Sequence, residues 1–172
     1  MTEPVNLDQV RALRNVLGMF ATGITVVTAV GETGLPSGMT ANSFTSVSTS
    51  PPLVLVCVLR DAKVHDAIIT SEAFGVSVLS SSQRVVAQHF ANKSRPRGDR
   101  EFDVVDWVPG RHTGTPIVSN TLAWLECRLA NVYDGGDHSI FLGAVVDSGR
   151  DEDQDALLFF GGGYHYLGHK AS

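Results

Sequence analysis

The chain has only two cysteines, Cys57 and Cys127, among 172 residues. Both sit in apolar, strand-like segments, the pattern of buried reduced thiols rather than of a disulfide framework or a thiol nucleophile. Basic residues are also scarce: thirteen Lys and Arg against eighteen Asp and Glu leave a formal net charge of −5. That balance excludes a general nucleic-acid binder, which needs a basic surface to meet phosphates. The longest uninterrupted apolar run, Leu53–Leu59, is far below the ~20 residues that span a bilayer, so no membrane segment is expected. The opening stretch from Met1 to Asp8 has no basic segment followed by an apolar one, so a signal peptide is not expected and a cytoplasmic location is. Phosphate-loop sequences are missing too. There is no Walker A pattern and no G-x-G-x-x-G at a strand-to-helix junction, which disfavours a Rossmann site. No accessible Ser or Cys nucleophile with an oxyanion-hole context presents itself.

Hydrophobic residues make up 43% of the chain and charged residues 18%, so it is a globular sequence rather than a disordered one. Its length predicts one domain over residues 1–172, with a core at about 10–167, that buries roughly 70% of the unfolded surface. Asn6 and Gln9 read as a helix cap and its partner. Val10, Leu13, Leu17 and Phe20 follow at helical spacing, and Gly23 is the expected break. Residues 24–30 form a β-branched strand. Leu53–Leu59 is apolar on both faces, as in a central covered strand. Asp61 is a candidate cap for a short helix through Thr70. Residues 73–79 alternate as a strand, and Ser80 with Gln83 forms a capping box that opens a helix to about Ala91. Residues 92–115 read as a surface excursion. Residues 122–133 place Leu125, Cys127 and Leu129 inward and Glu126 and Arg128 outward. Asp134-Gly135-Gly136 marks a hairpin, and residues 139–146, 156–160 and 164–167 supply further strands. About seven strands with three short helices is a mainly β pattern: an antiparallel barrel with helices at its rim.

Four places carry candidate chemistry. The first is Gly38–Leu53, where Thr40, Asn42, Ser43, Thr45, Ser46, Ser48, Thr49 and Ser50 crowd a short uncharged span before Pro51-Pro52. It is either a hydroxyl-rich exposed turn or a cradle for a polar, anionic nucleotide. Gly38 allows close backbone approach, and Ser46 and Ser48, two apart, share a side if extended. The second is Phe90-Ala91-Asn92-Lys93 with Arg95, Arg97 and Arg100, a solvated loop or a local charge neutraliser for a phosphate. The third is Gly136-Asp137-His138, a surface hairpin or a histidine fixed beside a ligand. The fourth is Phe160–His169, a glycine-permitted closing strand or a place where Tyr164 or Tyr166 stacks on a planar ligand. His165 and His169 have the helical spacing of two metal ligands, but the surrounding glycines argue against a helix and no third ligand is evident, so no metal is expected.

In their joint order these segments resemble the flavin reductase-like family, the small reductase components of two-component flavin-dependent monooxygenases. The segments are Leu17–Thr28, Gly38–Ser48 with Pro51–Leu55, Phe74–Leu79, Phe90–Lys93, Gly136–His138 and Gly163-Tyr164. The resemblance implies a split β-barrel of Greek-key type that forms a homodimer. It implies non-covalent FAD or FMN, reduced by hydride from NADH or NADPH, with NADH the preferred guess, and a separate flavin-dependent oxygenase that receives the reduced flavin. By the same resemblance, Thr40, Ala41, Asn42 and Ser43 lie along the flavin ring and ribityl chain. Ser46, Val47 and Ser48 lie near its phosphate. Phe90, Ala91 and Lys93 make a further flavin contact that Arg97 extends. Gly136, Asp137, His138 and Tyr164 line the nicotinamide nucleotide. No side chain is implied as a catalytic acid or base. Asn42 stands where many relatives carry Ser, and the loop after Lys93 departs from the family pattern, which leaves both flavins open. Rival readings are a non-catalytic flavin- or haem-binding split barrel, an oxidase of a small pyridoxamine-type amine, and an interaction subunit without ligand.

Overall fold

The computed structural model describes residues 6–151 and 153–167. Its first element is helix α1 (Leu7–Leu17), capped by the Asn6 side chain, which accepts from the amides of Asp8 and Gln9. The helix ends at Gly18, whose N–H donates to the Arg14 carbonyl, and not at Gly23, which lies in a strand. Strands β1 (Thr22–Gly23), β2 (Thr25–Val30), β3 (Pro36–Ala41), β4 (Thr45–Thr49) and β5 (Pro52–Leu59) follow. Next come α2 (Lys63–Ser71), β6 (Ala73–Val78) and α3 (Arg84–Ala91), then β7 (Trp107–Pro109) and β8 (Pro116–Val118). The long hairpin of β9 (Ala123–Gly135) and β10 (His138–Arg150) leads to β11 (Leu157–Phe160) and β12 (Gly163–Tyr166). Asp61 does not cap α2; Ala62 holds that position with no side-chain bond. The Ser80–Gln83 capping box forms and opens a short 3-10 turn into α3.

Seven strands make one antiparallel sheet in the order β3-β2-β6-β9-β10-β5-β4. Strands β3 and β4 thus occupy opposite edges, although only Asn42, Ser43 and Phe44 join them. A flat sheet of this width would set its edges about 29 Å apart at ~4.8 Å per strand. The short linker reaches roughly 14 Å at most. The sheet must therefore curl until its edges meet, which makes it a barrel. Ser43 pins the closure: its hydroxyl donates to the Cys57 carbonyl at 2.9 Å and accepts from the Cys57 amide at 3.2 Å. The expected split barrel, mainly β with peripheral helices, is the fold found.

The barrel interior holds Val27, Val54, Val56, Val58, Phe74 and Phe141, with α2 laid against it through Val64, Ala67 and Ile68. A second cluster, including Ile24, Leu79, Phe90 and Phe102, sits under α3. Strand β5 is second from an edge rather than central, and only one face is buried; Leu53, Leu55, Cys57 and Leu59 are half-buried on the other. Both cysteines are free thiols, and burial pushes Cys127 up to about 12. No helix among the described residues is long and apolar enough to cross a membrane.

Two sequence expectations fail for one reason, cover from a distant segment. Glu126 does not point to solvent; it is fully buried because the turn around His112 and Thr113 lies over it and donates to it. Nor are residues 92–115 a plain surface excursion, since Arg95, Glu101 and Phe102 are buried. Packing is tight where β10 crosses the core. A Cβ on Gly143 would overlap the Phe74 ring and come within 3.0 Å of the Cys127 Cβ. Phe74 is fully buried and cannot swing away. Gly143→Ala is therefore expected to destabilise the fold by about 1–3 kcal/mol, measured by denaturant unfolding.

Candidate active site

Edge strand β3 is where backbone becomes available to a ligand. The Gly38 N–H donates to Glu101 Oε1 at 3.3 Å, and the Gly38 carbonyl accepts from Arg95, so both peptide groups point away from β2. Strand groups repeat with a period of two, so the peptide groups of Thr40 face the same open edge. The Thr40 hydroxyl is spent on structure: it donates to the Ala87 carbonyl at 2.7 Å and ties β3 to α3.

Two clefts meet at this edge. The larger, about 440 Å³, is lined by Gly38, Met39, Thr40, Leu59, Phe90 and Ala91, by the cations Lys63, Lys93, Arg95 and Arg97, and by Asp61. The smaller, about 190 Å³, is lined by Ile24, Thr40, Ala41, Asn42, Ala91, Phe159 and Tyr164. Thr40 and Ala91 belong to both, so the two form one bent groove. One end is cationic, the middle is a strand edge, and the other end is aromatic.

The cations are not equivalent. Arg95 is buried, with its guanidinium 2.8 Å from the fully buried Glu101 carboxylate, and burial lowers its pKa. It serves as a lock on Gly38 rather than as a free charge. Arg97 is half-buried, 3.6 Å from Glu101, and donates to the Lys93 carbonyl. The Lys93 ammonium is exposed and 4.0 Å from Asp61. Arg100 points elsewhere, to Asp103. Phe90 is buried beneath the groove, edge-on to Phe102 with ring centroids 5.0 Å apart.

At the aromatic end, Tyr164 stands edge-on to Phe159 at 5.8 Å, and Arg84 lies 5.6 Å from its ring centroid. Burial raises the Tyr164 phenol pKa, and Arg84 opposes this. Sequence reasoning missed Arg84 and Phe159; a lone arginine at a helix start carries no signal without the fold.

The hairpin tip is clamped by Arg60. Its side chain donates to the Gly136 carbonyl at 3.0 Å and to Asp134 at 2.7 Å, and its amide donates to Asp137. Gly136 has a φ of +78°, which suits glycine at the two-residue turn. His138 Nδ1 lies 2.6 Å from Asp137 Oδ1, and that bond and the imidazole charge hold the Asp137 carboxyl below its usual range. His138 pairs across the ladder with Leu59, a wall of the larger cleft. Gly136, Asp137 and His138 line neither cleft within this chain.

Nor do Ser43, Ser46, Val47 and Ser48 line them. Ser46 and Val47 are exposed on β4, and the Ser48 hydroxyl accepts from the Ser50 amide. A register shift between Ser46 and Ser48 interrupts the alternation that would put both on one side. A Ser139–His65–Asp66 chain, at 2.9 and 3.3 Å, mimics a hydrolytic triad, but Ser139 is only 2% exposed and no nucleophile is available there. His165 contacts the Phe160 carbonyl, and His169 lies outside the described residues.

The sequence over residues 17–168 matches the flavin reductase like domain. The chain belongs to that family. Among flavin reductases it is 51% identical over 150 residues to an NADH-dependent FAD reductase of Streptomyces globisporus, a match covering 87% of this chain and 81% of the relative. The solved structure of the Streptomyces globisporus C-1027 NADH:FAD oxidoreductase with NAD and FAD fragments superposes with a TM-score of 0.89 at 45% identity. That match covers 99% of this chain and 100% of the other. The flavin reductase component BorF of a bacterial two-component tryptophan halogenase superposes at 0.87 with 46% identity, over 94% of this chain and 99% of that one. The split barrel is therefore the flavin reductase fold. The groove's groups fit a flavin as well: peptide groups along the β3 edge, apolar Met39 and Phe90 beneath, and cations at one end.

Proposed function

We propose that this chain is an NADH-dependent flavin reductase that reduces FAD or FMN, with NADPH as the lesser donor. The bent groove carries the reading, because one planar ligand with an anionic tail satisfies its middle and its cationic end together. Thr40, Ala41, Asn42, Phe90 and Ala91 border the ring and ribityl chain, and Lys93 and Arg97 meet the phosphate. Ser43 acts from behind by fixing the closure, and Ser46, Val47 and Ser48 reach a phosphate only on a longer tail that runs along β4. A bound flavin supplies the ring that accepts hydride from the nicotinamide. The protein's part is placement and electrostatics. Thr40 offers a peptide N–H at the open strand edge, Tyr164 closes the aromatic end, and no side chain is given acid or base work.

His138 positions the nicotinamide nucleotide. Asp137 holds its Nδ1, which leaves Nε2 for a ligand. His138→Ala is expected to raise the KM for NADH several-fold while flavin affinity, read by fluorescence quenching, stays put. An equal loss of flavin affinity would remove His138 from this role.

The active form is a homodimer. Helix α1 buries none of its residues, and Leu7, Leu13, Val16, Leu17, Met19 and Phe20 are all more than half exposed. A short helix gains little stability unless an apolar face is covered. The half-buried outer face of β5 needs cover as well. The reduced flavin passes to a separate flavin-dependent oxygenase, as a relative named as the reductase subunit of a flavin-dependent monooxygenase suggests. A cytoplasmic setting suits two free thiols. Sedimentation velocity is expected to give a dimer, converted toward monomer by Leu13→Glu; a monomeric parent protein would refute the assembly.

A further inference from the structure

We propose that His112, Glu126 and Asp147 bind a divalent transition-metal cation of the Zn²⁺ class, at a site outside the flavin groove. Glu126 is fully buried in β9, and one of its oxygens, Oε2, has no hydrogen-bond partner among the described residues. The other is well supplied: Oε1 accepts from the His112 amide at 2.8 Å, the Thr113 amide at 2.5 Å and the Thr113 hydroxyl at 2.8 Å. A buried carboxylate is unfavourable unless its charge is met. No salt bridge to lysine or arginine reaches it among the described residues. Arg128 lies close, but it donates to the His112 carbonyl at 3.2 Å and so braces the turn instead of either carboxylate.

The strand register sharpens the conflict. Asp147 of β10 sits directly opposite Glu126 across the antiparallel ladder. Like charges so placed repel. The register shift between Val145 and Asp147 sets this pairing, and among the described residues no lysine or arginine forms a salt bridge with either carboxylate. His112 completes the group, with Nε2 3.9 Å from Asp147 Oδ2. One ligand atom from each of the three lies within 4.8 Å of the others. Zinc–ligand bonds are about 2.0–2.2 Å, so a cation would draw the atoms inward by roughly 1 Å. The partly exposed side chains of His112 and Asp147 can make that movement. One imidazole with two carboxylates suits Zn²⁺ or Mn²⁺. Of the three, Asp147 also borders a cleft of about 620 Å³ whose lining includes Gly110 and Arg111. Such an ion would fasten the turn that carries His112 to β9 and β10.

The test uses the full chain, stripped with EDTA, dialysed, and titrated with ZnCl₂ or MnCl₂ by calorimetry and thermal unfolding. One equivalent is expected to bind and to raise Tm. His112→Ala and Asp147→Ala alter partly exposed side chains and should fold; each is expected to weaken binding at least tenfold and to remove the rise in Tm. Glu126→Gln, which removes the unmet charge, is expected to raise the Tm of the metal-free protein and to abolish binding. Zinc bound equally by the parent and both surface variants, or no saturable heat with either salt, would overturn the proposal.

Discussion

Arg95→Met is expected to destabilise the protein by about 3–5 kcal/mol, read by denaturant unfolding. The methionine fills much of the arginine's volume, so lost packing is not the main term. What remains is Glu101, fully buried and stripped of its closest cation. Arg97, 3.6 Å away and half-exposed, is too distant to replace a guanidinium that donates through two nitrogens. The Gly38 carbonyl also loses its donor. The double change Arg95→Met with Glu101→Leu is expected to cost clearly less than the single one, because the orphaned charge is gone. Should the double variant prove as unstable as the two single variants summed, the ion pair would not be the cause. Function follows from the same contact: the lock fixes β3 two residues before Thr40, so the single variant's folded fraction is expected to bind flavin more weakly.

Removing the two outer cations together, Lys93→Ala with Arg97→Ala, is expected to weaken FMN or FAD binding by about 10–100-fold. Charge-assisted bonds to phosphate contribute roughly 1.5–3 kcal/mol each when made in partial burial. Lys93 is largely exposed and screened, so it contributes less than that range. Arg97 is sheltered and oriented by Glu101 and the Lys93 carbonyl, so it supplies the larger share. Riboflavin, which has no phosphate, gives the control. Its affinity is expected to be nearly equal in the parent and the double variant, and only the parent's FMN affinity should fall steeply with added salt. Equal weakening of riboflavin and FMN would mean that these cations shape the loop rather than hold a phosphate.

Much of this fold was legible because its signals are local. The Asn6 and Ser80–Gln83 caps, the turn at Gly136 and the β-branched runs of β2, β5 and β6 depend only on near neighbours. Elements that depend on distant cover were not. Glu126 alternates with Leu125 and Cys127 and therefore reads as solvent-facing, yet the turn near His112 covers that side. Arg95 reads as one of four loop cations, and only the fold shows that Glu101 consumes its charge. The hydroxyl-rich span is split in the same way. Thr40, Ala41 and Asn42 border the groove and Ser43 and Ser48 do not, while the hydroxyls of Thr40, Ser43 and Ser48 are committed to Ala87, Cys57 and Ser50. Composition cannot separate the part of this span that borders the groove from the part that does not. The position of β3 and β4 at opposite edges of a curled sheet does.

The most direct measurement is steady-state NADH oxidation by the purified chain as FAD, and then FMN, is raised from zero. The rate is expected to be negligible without flavin and to rise to saturation with it, and NADPH is expected to be the poorer donor at equal concentration. A protein that binds flavin yet oxidises neither nucleotide at any flavin concentration would contradict the account and leave a carrier in its place.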